Sequence, residues 1–155
     1  MAQNAYNNIE WWEDLTYPVD YEKAVKSMEL RVAAIRNDSG PGLVRLLQHP
    51  PIYTAGTSSN ESDLLDAHRF PVIQTGRGGQ YTYHGPGQLV GYVMLDLAQR
   101  GNDVRRYVHD LETWLIETLS HFGVAGVRKD GRVGIWVDLD SLHKRRIREF
   151  KIAAI

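Results

Sequence analysis

The chain has 155 residues, a length that suits one domain with a real core. Hydrophobic residues make up 43% and charged residues 24%, the balance of a globular protein in water, and a formal net charge of −1 gives no global argument for nucleic acid or membrane. Cysteine is absent, which excludes disulfides, thiolate zinc sites and a cysteine nucleophile within these residues.

The start, MAQNAYNNIEWWEDL, has neither a basic opening nor a long apolar run and is not read as a signal peptide. No run of about 18 apolar residues occurs, so no membrane span is expected and the expected location is cytoplasmic. The Asn-x-Ser triplets at Asn37 and Asn60 then carry no glycosylation meaning. Asp20 precedes YEKAVKSMELRVAAIR, in which Val25, Met28, Val32 and Ile35 recur on one helical face; Asp20 is the expected N-cap. NDSGPG (37–42) should end that helix, because Gly and Pro do not continue it. LVRLLQ (43–48) reads as a short buried strand, and HPPIYTAGTSS (49–59) as a loop flanking another. From Phe70, FPVIQTGRGGQYTYHGPGQLVGYVMLDL reads as strand, glycine loop, strand, with the apolar LVGYVMLDL expected to be central in its sheet.

A second helix follows AQRGND. Its apolar stripe is Val104, Val108, Leu111, Leu115, Leu119 and Phe122, with Asn102 or Asp103 capping its start and Gly123 its end. VGIWVDL (133–139) reads as a strand, DSLHKRRIREF as a loop or short helix, and KIAAI (151–155) as a last strand. Mixed helices and strands, with strands in the majority, make an α+β fold of mixed α/β layers the natural architecture. Charge is uneven along the chain: residues 1–127 hold ten Lys/Arg against fifteen Asp/Glu, whereas residues 128–155 hold eight against four. That basic end is either a solvated loop or a dock for an acidic partner. Its HKRRIR run has no aromatic until Phe150, too little for a base-stacking platform, so nucleic acid is not expected as a partner.

The segment GRGGQYTYHGPGQLVGY, Gly76 to Tyr92, concentrates the chemistry. Glycines let backbone N–H groups approach a ligand closely. Arg77 could contact a charged or polar ligand group or be a surface arginine. His84 precedes Gly85-Pro86-Gly87 and could line a pocket, presenting a polar group to a carbonyl, or serve the turn. Tyr81 and Tyr83 alternate like one face of a strand, where packing is the default role. Known phosphate motifs fail: Gly76 and Gly78 begin a G-x-G-x-x-G, but Tyr81 stands where its third glycine belongs, and no P-loop occurs. His109 and His121 share a helix twelve residues apart and cannot ligate one ion, so no metal is expected.

GRGGQYTYHGPGQLVGY followed by VMLDL resembles the most characteristic segment of the octanoyltransferases of lipoate biosynthesis, the lipoyl(octanoyl) transferases. HPPIYTAG (49–56), GRVGIWV (131–137), KIAAI and the helix after Asp20 support the resemblance, which runs from about Asp14 to Ile155 in ordered blocks. It implies a fold similar to the catalytic domain of biotin and lipoate protein ligases. It implies a reaction that moves an octanoyl group from acyl carrier protein to a specific lysine of lipoyl domains, those of 2-oxo-acid dehydrogenases and the glycine cleavage system. It also implies that no cofactor is needed, neither ATP nor metal, because the donor thioester is already activated. Carried over by position, Lys151 matches the family lysine that lowers the pKa of a cysteine nucleophile. Arg77, Gly78, Gly79, Gln80, Tyr81, Thr82, Tyr83 and His84 match the segment lining the acyl pocket. Ala154 and Ile155 match the start of a second substrate-contacting strip.

The resemblance places the family's cysteine downstream of the Lys151 motif, where this sequence has none. On that ground residues 1–155 are expected to be a single octanoyltransferase-like domain, C-terminally incomplete and inactive by itself, with DLDSLHKRRIREF a family-variable insertion. Removing part of a sheet bares a strand edge, so low stability and aggregation are expected too. A degenerate gene product, a non-catalytic module binding acyl carrier protein or lipoyl domains, and an ATP-dependent lipoate or biotin ligase on the same fold are the alternatives; TYHGPGQL favours the transferase over the ligase.

Overall fold

The computed structural model describes residues 8–138 and 149–155. The chain divides into two compact units, Met1–Asp96 and Leu97–Ile155, and each is described by itself. Helices and small sheets are mixed in both, as an α+β chain requires.

The first unit opens with strand β1 (Ile9–Asp14), then helix α1 (Tyr21–Arg36) and strand β2 (Gly42–Leu47), which lies parallel to β1 with Ile9 opposite Gly42 and Asp14 opposite Leu47. The Asp20 carboxylate accepts the Lys23 N–H at 3.0 Å, so the anticipated N-cap forms. The helix stops before the glycines: Asp38 adopts φ +51°, its N–H bonds the Ile35 carbonyl, and the Ser39 N–H reaches back to Ala34 at 2.9 Å. This paired 5→2 and 6→1 bonding normally recruits glycine, but Asp tolerates the left-handed region better than most side chains. Ile35 packs with Leu43 and Met94, joined by Met28, Val32 and Tyr92, so the predicted apolar face is the one that covers the sheet.

Strand β1 was not legible as a strand because the face it shares with Leu43 and Arg45, the face that α1 packs against, is ionic. Glu10, Trp12 and Asp14 alternate along it. Arg31 bonds Glu10 at 2.8 Å, Arg45 bonds Asp14 at 2.7 Å, and the two guanidinium carbons lie 4.9 and 6.0 Å from the Trp12 ring centroid. Strands β3 (Ile52–Ala55), β4 (Val72–Gln74) and β5 (Tyr81–His84) form a second sheet in which β3 is central, parallel to β4 and antiparallel to β5. Strand β6 (Val90–Met94) returns to the first sheet, antiparallel to β2. The expectation that this apolar strand would be central is corrected: the sheet order is β1-β2-β6, so β2 takes the centre. Both strands are apolar, and only pairing by β1 decides which is flanked on two sides.

The second unit begins with helix α2 (Val104–His121), capped by Asp103, whose carboxylate accepts the Arg106 N–H at 3.0 Å. Gly123 at φ +74° ends it through the same paired bonds, from Gly123 to Ser120 and from Val124 to Leu119. The middle of the predicted stripe is half-buried, while its ends, Val104 and Phe122, are exposed. Strands β7 (Val127–Lys129), β8 (Arg132–Asp138) and β9 (Glu149–Ala153) form an antiparallel sheet in that order. KIAAI thus contributes to a strand, as expected, and β7 was not anticipated. The charged run read as a loop or helix lies outside the described residues up to 148; its last two, Glu149 and Phe150, open β9. Among the described residues no helix is long and apolar enough to cross a membrane.

Candidate functional site

Thr54, fully buried in β3, is the hub of the glycine loop. One terminal nitrogen of Arg77 donates to the Thr54 carbonyl and hydroxyl oxygens, both at 2.8 Å, and to the Gln80 carbonyl at 3.0 Å; the other donates to Gly78 at 3.0 Å. The guanidinium therefore closes the loop on itself and clamps it to β3. Three N–H groups of the turn after β3 complete the closure: Thr57 bonds the Arg77 carbonyl at 2.9 Å, Ser58 that of Gly79 at 3.1 Å, and Gly56 that of Gln80 at 3.3 Å. Gly56 is obligatory here, since a Cβ would lie 2.3 Å from the Gly79 carbonyl oxygen.

Four consecutive carbonyls, 77 to 80, are thus taken up by Arg77 or by the turn 56–58. In a planar trans peptide the N–H points opposite to the carbonyl. The N–H groups of Gly78, Gly79 and Gln80 are consequently turned away from those partners, and among the described residues none has a hydrogen-bond partner. Adjacent unpaired backbone donors can hold a carbonyl oxygen as it gains negative charge.

His84 ends β5 beside this loop. Its Nδ1 lies 2.7 Å from the Gln88 amide oxygen, an acceptor only, so the proton is assigned to Nδ1. The Gln88 amide nitrogen donates in turn to the Tyr83 carbonyl at 3.2 Å. Nε2 faces the Thr54 hydroxyl at a long 3.5 Å. Behind it sits His49, wholly buried, with Nδ1 2.6 Å from the Val19 carbonyl and Nε2 2.8 Å from the Tyr92 hydroxyl. A carbonyl only accepts, so Nδ1 carries the proton and Nε2 accepts from Tyr92. Burial pushes the His49 pKa below its ordinary value and the Tyr92 pKa well above its own. The ring centroid of Tyr21 lies 5.2 Å from His49 and 6.2 Å from His84, and the two imidazoles meet edge-on at 5.7 Å. On the opposite face of the β3–β5 sheet, Tyr53, Phe70 and Tyr83 form an aromatic cluster with centroids 5.3 to 5.8 Å apart.

The first unit thus brings together the whole run from Arg77 to His84, with Tyr81, Thr82 and Tyr83 on β5. Thr54, His49, Tyr21 and Tyr92 were not singled out from sequence. Of these, only His49 left a signal, an imidazole directly before Pro-Pro at a strand boundary.

In the second unit Lys151 lies on β9 with Nζ 5.0 Å from the Trp136 ring centroid, and the Arg132 guanidinium carbon is 4.1 Å from the same ring. Glu149 bonds Lys129 at 2.5 Å and Arg132 at 2.6 Å, and these hydrogen bonds, Lys129 foremost, hold its carboxyl below the ordinary range. Ala154 and Ile155 follow the strand directly.

The model of the lipoyl protein ligase A/B catalytic domain matches residues 20–155, from the cap of α1 through both units. The chain belongs to that family. Within it, the chain is 60% identical over 144 residues to an octanoyltransferase of Paramagnetospirillum magneticum, covering 93% of this chain and 66% of that protein. It is also 60% identical to an octanoyltransferase of Parvibaculum lavamentivorans (93% and 63%) and 57% identical to one of Hyphomonas neptunium (93% and 61%). The chain therefore spans a little under two thirds of the length of these curated relatives. Strand β1 precedes the match to the lipoyl protein ligase family, whereas the glycine loop, His84 and Lys151 all fall within it.

Proposed function

We propose that this chain carries the acyl-binding and lysine-bearing part of an octanoyltransferase, one octanoyltransferase-like domain spanning both units. The donor is octanoyl acyl carrier protein, and the acceptor is a specific lysine of the lipoyl domains of 2-oxo-acid dehydrogenases and the glycine cleavage system. The observation that carries the reading is the inverted glycine loop: Arg77 and the turn 56–58 consume its carbonyls, so that Gly78, Gly79 and Gln80 offer N–H groups to a thioester carbonyl. The identity to named octanoyltransferases supports the choice of acyl group.

In this reading the thioester oxygen lies against those three N–H groups. The octanoyl group is taken up by the segment Arg77 to His84, the run that matches the acyl-pocket lining of the family. His84, its proton fixed on Nδ1, keeps the Nε2 lone pair beside the loop. Lys151 supplies the ammonium that favours thiolate over thiol at a cysteine nucleophile. Ala154 and Ile155 begin a second substrate-contacting strip. The sequence has no cysteine, so the 155 residues bind and orient the thioester without forming a thiol-linked acyl-enzyme. The donor, already activated as a thioester, needs no ATP, and a cytoplasmic location accords with a soluble carrier-protein donor.

The test combines binding and transfer. Octanoyl-pantetheine, added to the isotope-labelled chain, should move the amide resonances of Gly78, Gly79 and Gln80; unmoved amides at saturating ligand would sink the reading. Mixed with octanoyl acyl carrier protein and an apo lipoyl domain, the chain should add no octanoyl mass to the lipoyl domain above a no-enzyme control. Octanoylation above that control would mean direct transfer between bound partners and would overturn the thiol route.

A further inference from the structure

Lys151 owes its position to an irregularity in the strand that carries it. Ile135 pairs with Ala153, but Trp136, the next residue of β8, pairs with Lys151. One step on β8 therefore spans two on β9, and Ile152 is the extra residue of a bulge. In a regular strand Lys151 and Ala153 would share a face. The bulge separates them, leaving Ala153 opposite the fully buried Ile135 and Lys151 over the Trp136 indole.

Gly134 lies beneath the bulge. Its φ is +106°, and a Cβ there would lie 2.5 Å from the Ala153 carbonyl oxygen and 3.4 Å from Lys151 Cδ. Its N–H leaves the strand ladder and donates to Glu112 Oε1 of α2 at 3.0 Å. Glu112 is itself buried, and its other oxygen accepts from Arg128 Nε at 3.0 Å. Arg128 donates further to the His109 carbonyl at 3.0 Å. A buried carboxylate is costly unless it is paired and hydrogen-bonded. Here both oxygens are engaged, one of them by the backbone that fixes the bulge under Lys151.

We infer that Glu112 is a positioning residue for Lys151, acting through the Gly134 N–H and the β8–β9 bulge. This rests on the reading of Lys151 as the activating lysine, but the geometry it predicts is measurable without turnover. The carboxylate holds Gly134 in its left-handed conformation. Gly134 holds the extra residue in β9, and that residue turns the amine to the Trp136 face.

The test is proton–carbon NMR of the full 155-residue chain. The ε-methylene protons of Lys151 should be shifted upfield by the Trp136 ring, and Trp136→Leu should abolish that shift. Glu112→Ala should at least halve it, whereas Glu112→Gln, which keeps an acceptor oxygen for Gly134, should retain most of it. Leu119→Ala, which opens the packing of α2 near Gly126, should lower the melting temperature yet leave the shift in place. If Glu112→Ala does not fold, Glu112→Asp, one methylene short, is read with the same expectation. An unchanged shift in the folded Glu112 variant, an equal loss in Leu119→Ala, or no Trp136-dependent shift in the parent chain would each overturn the inference. Failure of the catalytic reading would appear separately, as unchanged transfer when Lys151 itself is substituted.

Discussion

His49 and Tyr92 complete each other's hydrogen bonding: the Tyr92 hydroxyl donates to Nε2 across 2.8 Å while Nδ1–H is spent on the Val19 carbonyl. The imidazole thereby ties the segment before α1 to β6, directly behind His84. Protonating Nε2 would force the Tyr92 hydroxyl to turn from donor to acceptor and would put a charge in a wholly buried position.

That arrangement predicts a pH dependence of stability. Burial lowers the folded-state pKa of His49, partly offset by its bond to Val19 and by Asp20, while His84 and Arg45 lower it further. The unfolded chain therefore binds a proton near the ordinary histidine pKa that the folded chain refuses. Stability is fully present above that pH and falls as pH drops toward the folded pKa, by at most about 1.4 kcal/mol per pH unit from this group. Urea midpoints between pH 8 and 5 measure it, and His49→Gln should flatten the slope. Parallel slopes in the two proteins would assign the dependence elsewhere.

Tyr92→Phe leaves His49 Nε2 buried without a donor. An unsatisfied buried polar group costs roughly 1–3 kcal/mol, so the variant should unfold at lower urea with an unchanged m-value. A loss below about 0.5 kcal/mol would show that the contact contributes less than an ordinary hydrogen bond.

Arg77→Met removes the guanidinium from four acceptors at once while keeping the length of the stem. The amides of Gly56, Thr57 and Ser58, which bond the loop carbonyls, should then exchange faster by tenfold or more, roughly 1.4 kcal/mol of local stability. Global unfolding should move less than this local opening. Unchanged exchange at these three amides would show that the turn 56–58 holds the loop without the clamp.

Gly56→Ala forces a methyl group against the Gly79 carbonyl, a backbone atom that cannot swing aside. Overpacking of this kind costs roughly 1–3 kcal/mol, and octanoyl-pantetheine binding should weaken along with it. A neutral substitution would mean that the loop and turn lie further apart in solution.

For turnover, a chimera is informative: this chain joined to the part of the Paramagnetospirillum magneticum relative that the match leaves uncovered. If that segment brings the cysteine, octanoyl transfer should appear, and Lys151→Ala in the chimera should reduce it by about 100-fold or more without lowering the melting temperature. Equal rates with and without Lys151 would sink its assigned role.

The two helices, their caps and their apolar faces were legible in the sequence because all of them are local: Asp20 and Asp103 sit one residue before helices that carry a 3.6-residue apolar period. The glycine loop was legible as chemistry because its composition has no use in an ordinary core. Sequence alone also determined that no thiol acts within these residues. Only the tertiary structure decided which backbone groups of the loop are left unpaired, because that depends on where Thr54, Gly56, Thr57 and Ser58, some twenty residues earlier, take up its carbonyls. Only pairing across the sheet decided that β2 rather than β6 is central, and that β1, ionic on the face it turns to α1, is a strand at all. The burial of His49 and Glu112 belongs to the same class. Nothing local buries a histidine before two prolines or a glutamate in a helix; distant partners, Tyr92 and the Gly134 N–H, satisfy them away from water.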